Sequence, residues 1–220
     1  FKVAINGSLA KYNLVDQTED AFQDQTGIDA STSTDEVYNV SGKYFTGQIA
    51  APTGGSITPY SAGGTDYTVH SFLSGTTNFA VEKAGTVDYL LVAGGGGGGS
   101  GAIPGGGGAG GLLTATGFSL AIGSHPVVVG ASGPSNAGAA VVETGGNTTF
   151  STLTAIGGGG GVASGSTGGT GGSGGGGGGY NSGNGGAGTV GQGNAGGSGA
   201  GGGGSYGAGG GGGAGAVGAT

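Results

Sequence analysis

Two histidines, eleven carboxylates and eight tyrosines, with no cysteine, are the side chains from which this 220-residue chain would have to build any chemistry. His70 lies in Tyr67-Thr-Val-His-Ser-Phe-Leu73, a stretch that alternates as a strand does, and His125 precedes Pro126 in a turn-like segment. Neither is spaced to a nucleophile or to further ligands as a triad or a zinc site requires, so both read as structural. Asp16, Glu19, Asp20 and Asp24 form an acidic stretch. Its two readings are a weak calcium site and a solvated face, and the solvated face is the expected one. G-x-G-x-x-G recurs because glycine is abundant; no copy opens a helical pattern, and no Gly-Lys-Ser/Thr exists, so no phosphate cradle is expected. Asn6-Gly-Ser, Asn39-Val-Ser and Asn147-Thr-Thr match the glycosylation acceptor pattern. Tyr180 and Tyr206 each interrupt a glycine run, beside Asn181 and Ser205. Each either plugs the end of a glycine bundle or presents an aromatic face on which a sugar ring stacks, with Asn181 and Asn184 bonding to hydroxyls. The expectation is a non-enzymatic protein with no catalytic residue, no metal and no cofactor. Its receptor-binding candidates are Tyr180, Asn181, Asn184 and Tyr206.

Those residues sit in an unusual background. Glycine accounts for 67 positions, about four times the ordinary share. Cysteine, methionine and tryptophan are absent, and all four basic residues are lysines. A chain without thiols has no disulfide framework. A net charge of −7 argues against nucleic acid and anionic membranes as partners, and glycine-rich RNA-binding segments need the arginine that this chain lacks. No run of 18 apolar residues occurs, so no helical membrane insertion is expected.

Charge and glycine divide the chain near residue 94. All lysines and ten of the eleven acids precede it, and Glu143 is the only charge after it. Ten glycines precede Gly94, and 57 lie from Gly94 onward. Residues 1–64 are expected to form a small β-rich connecting and assembly module. In it, Lys2 to Ile5 and Val37 to Ile49 read as strands, Asp16 to Ile28 as a short helix or loop, and Pro52 to Gly64 as a turn-rich linker. Residues 65–220 are expected to form the glycine-rich domain. Three strands are expected over 65–93, the last of them (Val87 to Ala93) buried on both faces because it is almost continuously apolar. Leu112 to Thr116, Phe118 to Ile122, Val127 to Val129, Val141-Val142 and Thr148 to Ile156 read as further strands. Gly117 and Gly123-Ser-His-Pro126 read as the breaks between them. Tyr89, Leu91, Phe118, Leu120, Val127, Val129, Phe150 and Leu153 are the expected core.

The runs Gly94–Gly99, Gly105–Gly108, Gly157–Gly161, Gly174–Gly179, Gly201–Gly204 and Gly209–Gly213 leave and re-enter this β-framework. Helix is disfavoured by about 1 kcal/mol per glycine relative to alanine. Collagen needs a strict period and much proline, and the chain has five prolines. The remaining ordered form is the polyproline-II-like helix of three residues per turn, whose backbone groups all point outward to neighbouring helices. Ordering glycine costs about 1–2 kcal/mol per residue against about 0.5–1.5 kcal/mol regained per hydrogen bond. Such a bundle therefore needs strands to anchor its ends.

Val87-Asp-Tyr-Leu-Leu-Val-Ala93 followed by Gly94–Gly99 resembles the glycine-rich modules of phage tail-fibre and other virion-surface proteins. So do Gly108-Ala-Gly-Gly-Leu112, Val127-Val-Val-Gly-Ala131 and Asn147 to Gly157, in order and spacing over about residues 67 to 215. Asp24 to Tyr38 resembles linker segments of phage structural proteins. The likeness extends to polyglycine-II tail-tip adhesins and to the glycine-rich extracellular domain of the anaplastic lymphoma kinase family. It implies a mainly β protein, a jelly-roll-like β-sandwich with inserted polyglycine-II helices packed as a bundle. It also implies an adhesive or structural role at a virion surface or outside a cell. The implied partners are other copies of the chain, as a trimer or filament, and a host-surface glycan or protein. A self-assembling extracellular filament or matrix subunit is the alternative. Modules of this kind close with a strand of the type GIVIxRY, and Gly213 to Thr220 has none. That strand is expected either beyond this stretch or from a partner.

Overall fold

A computed structural model describes residues 2–5, 8–11, 35–40, 43–48, 51–134, 142–202 and 205–220. The acidic stretch with Asp16, Glu19, Asp20 and Asp24, the Asn6 acceptor and Val141 lie outside the described residues. The chain divides into two compact units, Phe1–Ala51 and Pro52–Thr220. In the first, β1 (Lys2–Ile5) pairs with β2 (Ser8–Lys11) and β3 (Asp35–Val40) with β4 (Lys43–Gln48), both antiparallel.

The second unit opens with a hairpin where the sequence reads as a linker. β5 (Ser56–Ala62) pairs with β6 (Thr65–Ser71), and Gly63 and Gly64 turn the chain with φ of 60° and 81°. A two-residue hairpin turn of type I′ needs positive φ at both positions, and glycine supplies it without strain. The alternation of Thr58 and Tyr60 opposite Val69 and Tyr67 outweighs the turn-forming residues around them. The expected module boundary after residue 64 falls at this hairpin turn.

A four-stranded antiparallel sheet follows, in the order β12 (Leu153–Ala155), β11 (Thr148–Phe150), β10 (Gly123–Val129), β7 (Gly75–Val81). β8 (Gly85–Val92) and β9 (Leu112–Leu120) form a separate antiparallel pair. Gly123 to Pro126 belong to β10 and do not break it. Pro126 lies at the end of the β10–β11 ladder, where its carbonyl accepts the Ser151 N–H at 3.0 Å before the pairs begin at Val127, opposite Phe150, and a strand end tolerates proline. Gly117 bends β9 at φ 70° without ending it.

One apolar cluster joins the two sheets. Phe79, Val81, Leu91, Ala93, Leu120, Val127, Phe150 and Ala155 are buried, with Tyr89, Leu113, Phe118, Val129 and Leu153 packed against them. Phe79 meets Phe150 edge-on at 6.1 Å, and Tyr89 meets Phe118 at 5.6 Å. β8 is buried on one face only: Leu91 is 6% exposed while Leu90 is 66% exposed. A near-continuous apolar run is no proof of two-sided burial: among the described residues the Leu90 and Val92 face is left exposed.

The glycine segments run away from this core as a bundle. Residues 171–179 are all buried. Along 173–179 the N–H donors address three neighbours in turn. Those of Ser173, Gly176 and Gly179 donate to Ala109, Gly106 and Ile103; those of Gly174 and Gly177 to Asn194 and Gly197; those of Gly175 and Gly178 to Gly169 and Ser166. The carbonyls recur in the same way. Ser173 and Gly176 accept from Gly159 and Val162, Gly174 and Gly177 from Gly212 and Gly209, and Gly175 and Gly178 from Gly186 and Gly183. The central segment is therefore ringed by six others, and each is bonded to the next around the ring. The six links are Gly105 to Val162, Gly169 to Gly160, Gly168 to Asn184, Gly196 to Gly186, Gly197 to Gly210 and Gly106 to Gly209. None of the described glycines in the runs 94–99, 105–108, 157–161, 174–179 and 209–213 has positive φ. Glycine is required here by closeness and not by dihedral freedom. A Cβ on Gly176 would land on the Gly209 carbonyl, whereas one on Gly98 would meet nothing within 4 Å.

Candidate functional site

The histidines are engaged in the framework. The His70 Nδ1 lies 2.8 Å from the Gly54 carbonyl, with the ring edge-on to Phe79 at 4.9 Å. The His125 Nε2 lies 2.9 Å from the Ala121 carbonyl. Among the described residues no three His, Cys, Asp or Glu side chains come together. The Asn147 Oδ1 accepts the Gly157 N–H at 2.9 Å and ties the start of β11 to the segment that begins at Gly157. An open cleft lined by Leu112, Gln192 and Asn194 is likewise structural. Gln192 bonds the backbone of Thr154 and Ile156 at the edge of the four-stranded sheet, and Asn194 bonds the carbonyls of Gly213 and Ala214.

The end of the central segment is different. Gly179 is held by its N–H on the Ile103 carbonyl at 3.0 Å, and Tyr180 follows directly. Tyr206 comes from a small hairpin, β13 (Ala200–Gly202) with β14 (Ser205–Gly207), in which it lies opposite Gly201. The two rings stack with centroids 5.5 Å apart and planes 14° from parallel. They remain 51% and 49% exposed. They therefore sit on the bundle end and do not fill its interior.

Ser182 explains how two loops far apart in sequence hold this geometry. Its Oγ donates to the Gly201 carbonyl at 3.1 Å, and the Gly201 N–H lies 3.0 Å from the same Oγ. Ser182 has φ 51°, a left-handed turn that aims its hydroxyl back at the hairpin. Gly201 must be glycine at this contact, since a Cβ would come within 2.6 Å of the Tyr180 carbonyl. Sequence reasoning missed Ser182, and no signal marks it, because serines are scattered among these glycines throughout.

Tyr180 and Tyr206 are thus brought together. Asn181 adjoins them in sequence, and Asn184 lies three residues further along, where its carbonyl accepts the Gly168 N–H at 2.8 Å. Both asparagine side chains are exposed, and their amides make no hydrogen bond within the described residues. With Glu143 as the only charge from Gly94 to Thr220, the site is an uncharged, aromatic and amide surface on a rigid support.

A small apolar β-core continued by a glycine-rich bundle held by backbone hydrogen bonds defines the class as a β-rich glycine-bundle protein. The chain belongs to the glycine-rich domain family, whose model matches residues 68–220. No curated protein and no solved structure matches it.

Proposed function

We propose that this chain is a non-enzymatic structural and adhesive component of the phage tail-fibre or tail-tip kind, displayed on a virion surface or outside a cell. The observation that carries the reading is the stacked, half-exposed Tyr180–Tyr206 pair, clamped by Ser182 at the end of a rigid bundle. Exposed tyrosines join apolar area to a polar tip and lose little side-chain entropy on binding, which suits them to recognition. Pre-organisation lowers the ordering cost further. The bundle is inferred to be polyglycine-II, since donors that return to the same neighbour every third residue fit three residues per turn. The two sheets that share one core are inferred to be a jelly-roll-like sandwich.

Adsorption of the purified chain to cells of candidate bacterial hosts tests this reading. Tyr180→Ala and Tyr206→Ala are expected to reduce adsorption strongly with melting curves close to wild type. Wild-type adsorption by both variants would move the adhesive surface elsewhere. Copies are expected to associate, with residues 1–64 the main contact; light scattering that gives a monomer at every concentration would refute that.

A further inference from the structure

We infer that the ligand of the bundle end is an extended, uncharged glycan chain that runs from the Tyr180–Tyr206 pair along two rows of polar side chains. This rests on the adhesive reading above and adds to it the chemical class and length of the ligand. The first row is Thr167 and Thr170; in the second, Asn181 in the turn before Ser182 and Asn184 on the segment after it carry the polar groups, and all four residues are exposed. Between them Gly168, Gly169, Gly183 and Gly186 are buried. The two segments are neighbours and run parallel. The Gly168 N–H donates to the Asn184 carbonyl at 2.8 Å, and the Gly171 N–H to the Ala187 carbonyl at 3.2 Å.

Thr167 and Thr170, three residues apart on one such segment, stand about 9 Å from each other. The hydroxyls of the first row therefore repeat along the segment, as the units of a polymer do. Tyr180 immediately precedes Asn181, so the aromatic pair heads the second row. The Thr167 and Thr170 hydroxyls and the Asn181 and Asn184 amides make no hydrogen bond within the described residues, which leaves donors and acceptors free in both rows. A sugar ring has an apolar face for the aromatic pair and hydroxyls that both donate and accept. A chain of such rings matches a repeated row of hydroxyls and amides. The absence of any lysine or arginine from Gly94 onward removes the groups that would hold a sulfated or sialylated chain.

Binding to immobilised neutral hexose oligomers of graded length, with sulfated and sialylated chains alongside, tests the inference. Affinity is expected to rise at least about tenfold from the monosaccharide to a chain that spans both rows. It is also expected to change little with added salt. The double variant Thr167→Ala, Asn184→Ala is expected to flatten that rise while its melting curve stays unchanged. Length-independent binding, a full length dependence in the double variant, or a preference for anionic chains would each overturn it. If host cells are adsorbed through Tyr180 and Tyr206 yet no neutral glycan binds, this inference fails and the adhesive reading stands. If cell adsorption ignores both tyrosines, the adhesive reading itself fails.

Discussion

The apolar β-core and the glycine bundle lie in one compact unit, yet they bury their backbones by opposite means. Around Phe79, Leu91, Val127 and Phe150, strands satisfy one another's peptide groups, and the space between sheets is filled by side chains. Around Gly174–Gly178 the segments meet backbone to backbone, and successive peptide groups bond to different neighbours. The core is specified by the volume of what is present. The bundle is specified by the absence of Cβ atoms, which lets six segments surround a seventh. Tolerance to substitution should therefore differ in kind between the two regions.

The largest effect is expected at the bundle centre. Gly176→Val would drive a branched side chain into the Gly209 carbonyl, which has no rotamer with which to yield. A loss of more than about 4 kcal/mol, or failure to fold, is expected in thermal melts. Gly98→Ala, in the same type of run but facing open space, is expected to be neutral or to stabilise by up to about 1 kcal/mol through the unfolded chain. Equal effects at the two sites would dissolve the comparison.

The core should show the ordinary cost of a cavity. Leu91→Ala is expected to lower stability by about 2–5 kcal/mol in denaturant titrations. Its neighbour Leu90, 66% exposed, is expected to change stability by no more than about 0.5 kcal/mol on the same truncation. A melt indifferent to Leu91 would remove β8 from the core.

The smallest effect has the opposite sign. Ser173 heads the central segment, is fully buried, and its Oγ has no hydrogen-bond partner among the described residues. Ser173→Ala keeps the Cβ that the site already holds and removes an unsatisfied hydroxyl. A gain of about 1 kcal/mol in the same titrations is expected, since an unpaired buried hydroxyl costs about that much. A loss would mean that the hydroxyl is satisfied after all, and that the centre of the bundle is not held by backbone alone.

Much of the β-framework was legible in the residues. β6, β7 and β8 lie where alternation and glycine breaks put three strands, and Leu91, Leu120, Val127 and Phe150 are buried as expected. The expectations that failed were those read from punctuation. Pro52 to Gly64 holds a strand and a turn, and Gly123 to Pro126 lies inside β10. Turn-forming residues report what a backbone allows, while pairing with β6 or β7 decides what it does. The one-sided burial of Val87 to Ala93 was equally hidden, because an apolar run does not say what packs on each face.

Local sequence chemistry determined where strands form, where side chains disappear and where charge ends. It also marked Tyr180, Asn181, Asn184 and Tyr206 as candidates for recognition in a region with a single charge. Only the tertiary structure decided which segment is central, because glycine runs are interchangeable as sequence and become distinct through the neighbours their peptide groups reach. It also decided that Tyr180 and Tyr206, 26 positions apart in the numbering, form one stacked surface. The physical reason is Ser182, whose single hydroxyl bonds both backbone groups of Gly201 and so fixes one loop on the other.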